Sequence, residues 1–200
     1  NRQEIFVNKS INKSKFENID YIFHIDSDEL IYIKPFDNIP KYQLLRNYLN
    51  NINPIYDSIH LNNYEAVFSN INTKCFDTNR FINCNLGSCL SYGNGKSVGR
   101  VKNNIKFNGP HNFTGHMFNM NNDIIILHFD SCNFLKWKEK FNNLKNISEE
   151  KYNKIPFDFY KNSIRKLQKV NNNKDLENFY YQNKIKPYYE NNLITIDLFN

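Results

Sequence analysis

One short run does most to limit what this chain can fold into: Tyr21 to Tyr32, reading Tyr-Ile-Phe-His-Ile-Asp-Ser-Asp-Glu-Leu-Ile-Tyr. Its opening residues are apolar, β-branched or aromatic except for His24, too short a run for a helix and suited to a strand buried on both faces. The run then turns acidic. With the chain extended through Ser27, Asp26 and Asp28 project to one side at the carboxyl end of the strand, where open α/β sheets place their ligands. Carboxylate oxygens in this pattern suit Mg²⁺ or Mn²⁺, ions that keep several waters and leave positions for substrate phosphates. An isolated Asp-x-Asp also reads as a solvated acidic turn, so the rest of the chain has to decide.

A chain of 200 residues is long enough to bury a sizeable core, and 16% aromatic with 40% hydrophobic residues argues for packing rather than disorder. The formal charge of +6 comes from lysines and arginines scattered along the sequence. Without a basic block or an aromatic RNA-binding motif, it reads as a solvated surface suited to anionic donors, not as a nucleic-acid interface. No apolar run approaches the roughly eighteen residues of a membrane-spanning helix. The sequence opens at Asn1 without a signal peptide, which suggests an upstream segment and leaves the compartment open. Cys75, Cys84, Cys89 and Cys132 lack paired C-x-x-C spacing, so free buried thiols are expected over a zinc site. Sequons at Asn8, Asn12, Asn112 and Asn146 are what chance supplies in so asparagine-rich a chain.

Scattered apolar residues from Asn1 to Asn18 predict a helix that packs on the sheet. Tyr42, Leu45, Tyr48 and Leu49 recur at helical spacing and predict a second helix over Lys41 to Asn50, between Pro40 and Pro54. Asp57 to Asn62 alternates as a strand, placing Glu65 at a strand end. The stretch from Asn70 to Leu90 reads as a loop, ordered only near Arg80 to Ile82. Ser91-Tyr-Gly-Asn-Gly-Lys-Ser97 lacks the leading glycine of a phosphate-binding P-loop, because position 90 is Leu, and reads as a turn presenting Lys96. Val98 to Val101, carrying Arg100, is a short strand, and Asn108 to His111 a second turn. Ile124 to Phe129 is another buried strand, ending near His128. Phe134, Trp137, Phe141 and Leu144 mark a helix face, followed by helices striped by Tyr160, Ile164 and Leu167 and by Leu176, Phe179 and Tyr180. A last strand is expected over Leu193 to Phe199.

Taken together, His24-Ile-Asp-Ser-Asp-Glu-Leu-Ile-Tyr, Asn63-Tyr-Glu-Ala, Tyr92-Gly-Asn-Gly-Lys-Ser with Arg100, Asn108-Gly-Pro-His111 and Leu127-His-Phe resemble glycosyltransferases of the GT-A fold, family-2-like and family-92-like (DUF23-related). The resemblance covers roughly Arg2 to Leu144. It implies an α/β, Rossmann-like mixed sheet with flanking helices over residues 1–145 and a mostly helical extension over 146–200. Only about twenty residues precede the Asp-x-Asp strand, so the nucleotide-binding βαβ unit found at that point in such enzymes is expected to be missing from this chain. The implied activity is transfer of a sugar from a nucleotide-diphosphate sugar, a UDP-sugar foremost, to a hydroxyl on a glycan or protein acceptor.

In that reading Asp28 holds Mn²⁺ or Mg²⁺, Asp26 sits beside the metal or on the ribose, and His128 is a third ligand. Lys96 and Arg100 contact phosphate oxygens, and His111 lies on the acceptor or diphosphate side. An inverting reaction needs a carboxylate to take the acceptor's proton. Glu65 and Asp130 are the candidates; Glu29 ranks below them because it can instead support the acidic turn. Two other classes remain: a GT-A-like module without catalysis, and a metal-dependent phosphohydrolase, which a chain of 5 histidines is poorly equipped to be.

Overall fold

A computed structural model describes residues 2–36, 38–86, 89–120, 122–188 and 193–198. In chain order these form α1 (Arg2–Phe16), β1 (Tyr21–Phe23), β2 (Glu29–Ile33), α2 (Lys41–Asn50), β3 (Ser58–Ala66), β4 (Arg80–Asn83), β5 (Lys96–Arg100), β6 (Met117–Asn119), β7 (Ile124–His128), α3 (Phe134–Leu144), α4 (Glu149–Asn153), α5 (Asp158–Lys169), α6 (Asn173–Tyr180) and β8 (Ile194–Thr195). The protein is mixed α/β, with an eight-stranded sheet, flanking helices and a helical C-terminal segment. The hydrogen-bonded path runs β1-β5-β3-β4-β8, with β6 and β7 also on β3, and β2 on β7. β3 and β6 pair in parallel, whereas β1–β5, β3–β5, β3–β4 and β4–β8 are antiparallel.

The chain divides into two compact units, Asn1–Asn63 with Asn94–Leu127, and Tyr64–Gly93 with His128–Asn200. The first is a layered α/β unit. Ile59 and Leu61, two apart on β3, send their side chains to one face of the sheet, as strand periodicity requires. There they join Val98, Ile124, Ile126, Leu49 and Ile52 in a dry cluster. Leu45, Tyr48, Leu49 and Ile52 set the phase of α2 on that cluster, so Tyr42 falls outside the stripe and is exposed, while Leu44 is buried. α1 contributes Val7 and Ile11 to a smaller cluster with Ile105 and Phe113.

The second unit is built around aromatic helices. Asn133 caps α3 by accepting from the Lys136 N–H at 2.9 Å, which satisfies one of the helix's orphan donors. That helix buries Phe134, Trp137 and Phe141 against Phe159, Ile164 and Leu167 of α5 and Leu176 and Tyr180 of α6. Trp137 is wholly buried, and its indole N–H donates to Ser163 Oγ at 3.0 Å, so a large side chain is buried without stranding its polar atom.

The helices at Lys41–Asn50 and Phe134–Leu144 have the extents that apolar spacing predicts. Other expectations change. β1 is a three-residue strand, half-buried and first in the sheet path, not a strand buried on both faces. The chain does not stay extended through Ser27: the Glu29 N–H donates to the Asp26 carbonyl at 3.2 Å, closing a turn. β3 runs nine residues to Ala66, so Glu65 lies inside the strand. β8 covers only Ile194–Thr195, and Phe199 lies outside the described residues. The cysteines are not free thiols: Cys75 pairs with Cys132 and Cys84 with Cys89, each with Cα atoms 5.2 Å apart. Sequence spacing could not announce the first pair, because 57 positions separate its members.

Candidate functional site

In the first unit three of the sequence blocks meet at the acidic turn. The turn closes on itself, because Glu29 Oε2 accepts from the Asp26 N–H at 2.7 Å while the Glu29 N–H returns to the Asp26 carbonyl. The return of the Glu29 carboxylate to the Asp26 N–H is the half of a capping box that its glutamate supplies, while the other bond is a backbone turn. Lys96, at the head of β5, reaches in from a second block: its ammonium lies 2.7 Å from Asp26 Oδ2 and 3.5 Å from Glu29 Oε2. It also donates to the Pro110 carbonyl at 3.1 Å, and His111 Nδ1 lies 2.9 Å from the Gly95 carbonyl, which brings in the third block.

Gly95 makes that approach possible. Its φ is +61°, and a Cβ there would sit 2.1 Å from the Leu61 carbonyl oxygen, so no other residue fits without moving the backbone. The Lys96 side chain is 1% exposed, whereas that of Asp26 is 44% exposed, so the cation is locked while the carboxylate still faces water. Asp28 is half-buried on the same turn. His24 is edge-on to Phe107, and burial, together with the Lys96 charge, pulls its ring below the usual histidine range.

In the second unit the remaining two blocks form a buried polar network. Glu65 is wholly buried and ion-paired with Lys184, itself wholly buried. Its other oxygen accepts from Ser91 Oγ at 2.8 Å, and Ser91 Oγ lies 3.3 Å from His128 Nδ1. The Tyr92 ring packs 4.8 Å from the His128 ring. Asp130, also fully buried, is paired with Lys140 of α3 and lies 3.8 Å from Lys184. Burial alone would push the Asp130 carboxyl up, but the charges of Lys140 and Lys184 and the His128 ring together hold it well below the usual carboxylate range. Tyr188 closes the network: its hydroxyl accepts from the Leu90 N–H at 2.9 Å, and burial next to Glu65 pushes its pKa well above the ordinary tyrosine value.

Each unit, taken by itself, holds residues singled out in the sequence. Asp26, Asp28, Lys96 and His111 gather at the acidic turn, and Glu65, His128 and Asp130 gather in the buried network. Arg100 joins neither. It lies at the Tyr21 end of the β1–β5 ladder, four residues along the strand from Lys96, or about 13 Å. There its guanidinium donates to the carbonyls of Tyr56 at 3.2 Å and Ile52 at 3.1 Å and stacks over Tyr21. Lys96 is not displayed on a turn, as its glycine-rich approach suggests, but is sealed at the start of a strand. Glu29 supports the turn from inside.

Sequence reasoning misses Ser91, Lys140, Lys184 and Tyr188. Ser91 adjoins a recognised block and was within reach of inspection; the two lysines carry no local signal, since each has other lysines close by in sequence and nothing local marks it out. The sulfurs of Cys84 and Cys89 come near Glu65, but their disulfide removes them as ligands. Compared with protein-family models and with curated proteins, the chain matches none.

Proposed function

We propose that this chain is a metal-dependent glycosyltransferase that moves a sugar from a nucleotide-diphosphate sugar, a UDP-sugar foremost, to a hydroxyl of a glycan or protein acceptor. The observation that carries the reading is the meeting of three sequence-distant blocks, through Asp26, Lys96 and the Pro110–His111 turn, around the part-exposed Asp26 carboxylate, with half-buried Asp28 on the same turn. Hard carboxylate oxygens on one tight turn, with a third carboxylate turned inward to brace them, are the donor set expected for Mg²⁺ or Mn²⁺. Asp26 and Asp28 would hold the ion, which would neutralise charge on the leaving diphosphate. Lys96 fixes the position of Asp26, and Glu29 fixes the backbone from which both aspartates project. His128 is the proposed third ligand, and His111 the residue on the diphosphate or acceptor side. Glu65 and Asp130 are the proposed proton acceptors of an inverting reaction.

One observation favours a second reading, a GT-A-like binding module without catalysis. Glu65 and Asp130 are both fully buried and ion-paired with lysines, so neither can take an acceptor's proton until its lysine withdraws. Thermal unfolding in the presence of nucleotide-diphosphate sugars with Mn²⁺ separates the readings from a chain with no such affinity. A ligand at one hundred times its dissociation constant adds about 2.7 kcal/mol to apparent stability. The shift should require donor and metal together and vanish in Asp28→Asn. Binding without turnover would favour the module, and no shift with any donor would overturn both.

A further inference from the structure

We infer that Ser91 is a positioning residue that fixes the tautomer of His128, putting the proton on Nδ1 and leaving Nε2 as the unprotonated nitrogen of the neutral ring. The inference follows from counting protons along a buried chain. Glu65 is held by the ammonium of Lys184, so its carboxylate is ionised and can only accept hydrogen bonds. Ser91 Oγ, 2.8 Å from Glu65 Oε2, must therefore donate its single hydroxyl proton there. The same oxygen lies 3.3 Å from His128 Nδ1 and has only lone pairs left to offer, so Nδ1 must be the donor. Ser91, Glu65 and His128 are each at least 97% buried, so water does not compete for these positions: their exposures are 3%, 0% and 2%.

The chain of contacts runs Lys184 to Glu65 to Ser91 to His128, and it starts from a charge that cannot move without leaving a buried carboxylate unpaired. The Tyr92 ring also packs against the His128 ring, with centroids 4.8 Å apart. The Cys84–Cys89 disulfide anchors the segment just before Ser91. A histidine that binds a metal usually donates its other ring N–H to an oxygen of the protein, which fixes both tautomer and orientation. Ser91 supplies that oxygen here. The consequence for metal binding rests on His128 being a ligand, as proposed above; the tautomer itself does not.

The test is a long-range ¹H–¹⁵N spectrum of the histidine-labelled, metal-free protein, with His128→Gln used to assign the ring signals. At a pH where the ring is neutral, wild type should show a protonated Nδ1 and an unprotonated Nε2. Ser91→Ala should shift the ring toward the Nε2–H tautomer that free histidine favours, and Ser91→Thr, which keeps the hydroxyl, should restore the wild-type pattern. Circular dichroism checks that both variants fold. An Nε2–H ring in wild type, or an unchanged ring in a folded Ser91→Ala, would overturn the inference. Mn²⁺ titration gives an independent arm: affinity should fall about 10- to 100-fold in Ser91→Ala and recover in Ser91→Thr. A tautomer change with no change in Mn²⁺ affinity would support the role of Ser91 and count against His128 as a ligand.

Discussion

Each unit of this protein holds carboxylates with lysine ammonium groups, and the Asp26–Lys96 and Glu65–Lys184 pairs do so in opposite ways. At the acidic turn the lysine is buried and the aspartate it holds is 44% exposed. In the second unit both partners of the Glu65–Lys184 pair are sealed. An exposed carboxylate can exchange one cation for another at small cost, because water solvates it in the interval. A sealed one cannot, since breaking the pair leaves a bare charge in a medium that solvates it poorly. The first arrangement suits a site that binds and releases; the second suits a frame. The second unit also holds all four cysteines in two disulfides, which reinforces the contrast.

The sharpest way to break that comparison is Lys184→Met. It should cost about 3–5 kcal/mol in urea unfolding by stranding Glu65, and adding Glu65→Gln should recover much of the loss. A cost below about 1 kcal/mol would mean that water reaches Glu65 and that the pair is not a frame. Next comes the Cys75–Cys132 bridge. Its span of 57 positions implies about 4 kcal/mol from chain entropy, against about 2 kcal/mol for Cys84–Cys89, whose span is 5. Replacing each pair with alanines and comparing urea midpoints tests the order.

Acid sharpens the contrast further. The folded-state pKa of Asp130 lies below its unfolded value of about 3.9, so its contribution to stability is complete above that value. The contribution is lost as pH falls through the depressed folded value. Asp130→Asn should therefore flatten the acid side of a stability–pH curve recorded from pH 5 downward. The smallest effect is expected at the first site. Asp26→Asn leaves Lys96 with Glu29 at 3.5 Å and the Pro110 carbonyl, so it should cost only about 1 kcal/mol. Its consequence should appear instead as weakened Mn²⁺ affinity in a titration.

Local order was legible in the sequence because it is written in spacing. The 3.6-residue stripes of Leu45 to Leu49 and Phe134 to Phe141 and the apolar run at Ile124 carry their own answer, and α2, α3 and β7 form where those patterns lie. The candidate acids were legible too, as residue types in suggestive order. What each acid faces was not. Whether Asp26 meets water and Glu65 meets Lys184 depends on contacts across 70 and 119 positions of chain, and no window of sequence contains both partners. The same holds for Cys75 with Cys132, and for Arg100, whose strand was readable but whose carbonyl partners were not. Periodicity is a property of neighbouring residues, so the sequence by itself determined the strongly patterned segments, α2, α3 and β7, but not the short strands β2 and β6. Burial and charge pairing arise only when distant segments pack, so only the tertiary structure decided which lysine is locked, which carboxylate stays open to water and which nitrogen of His128 carries its proton.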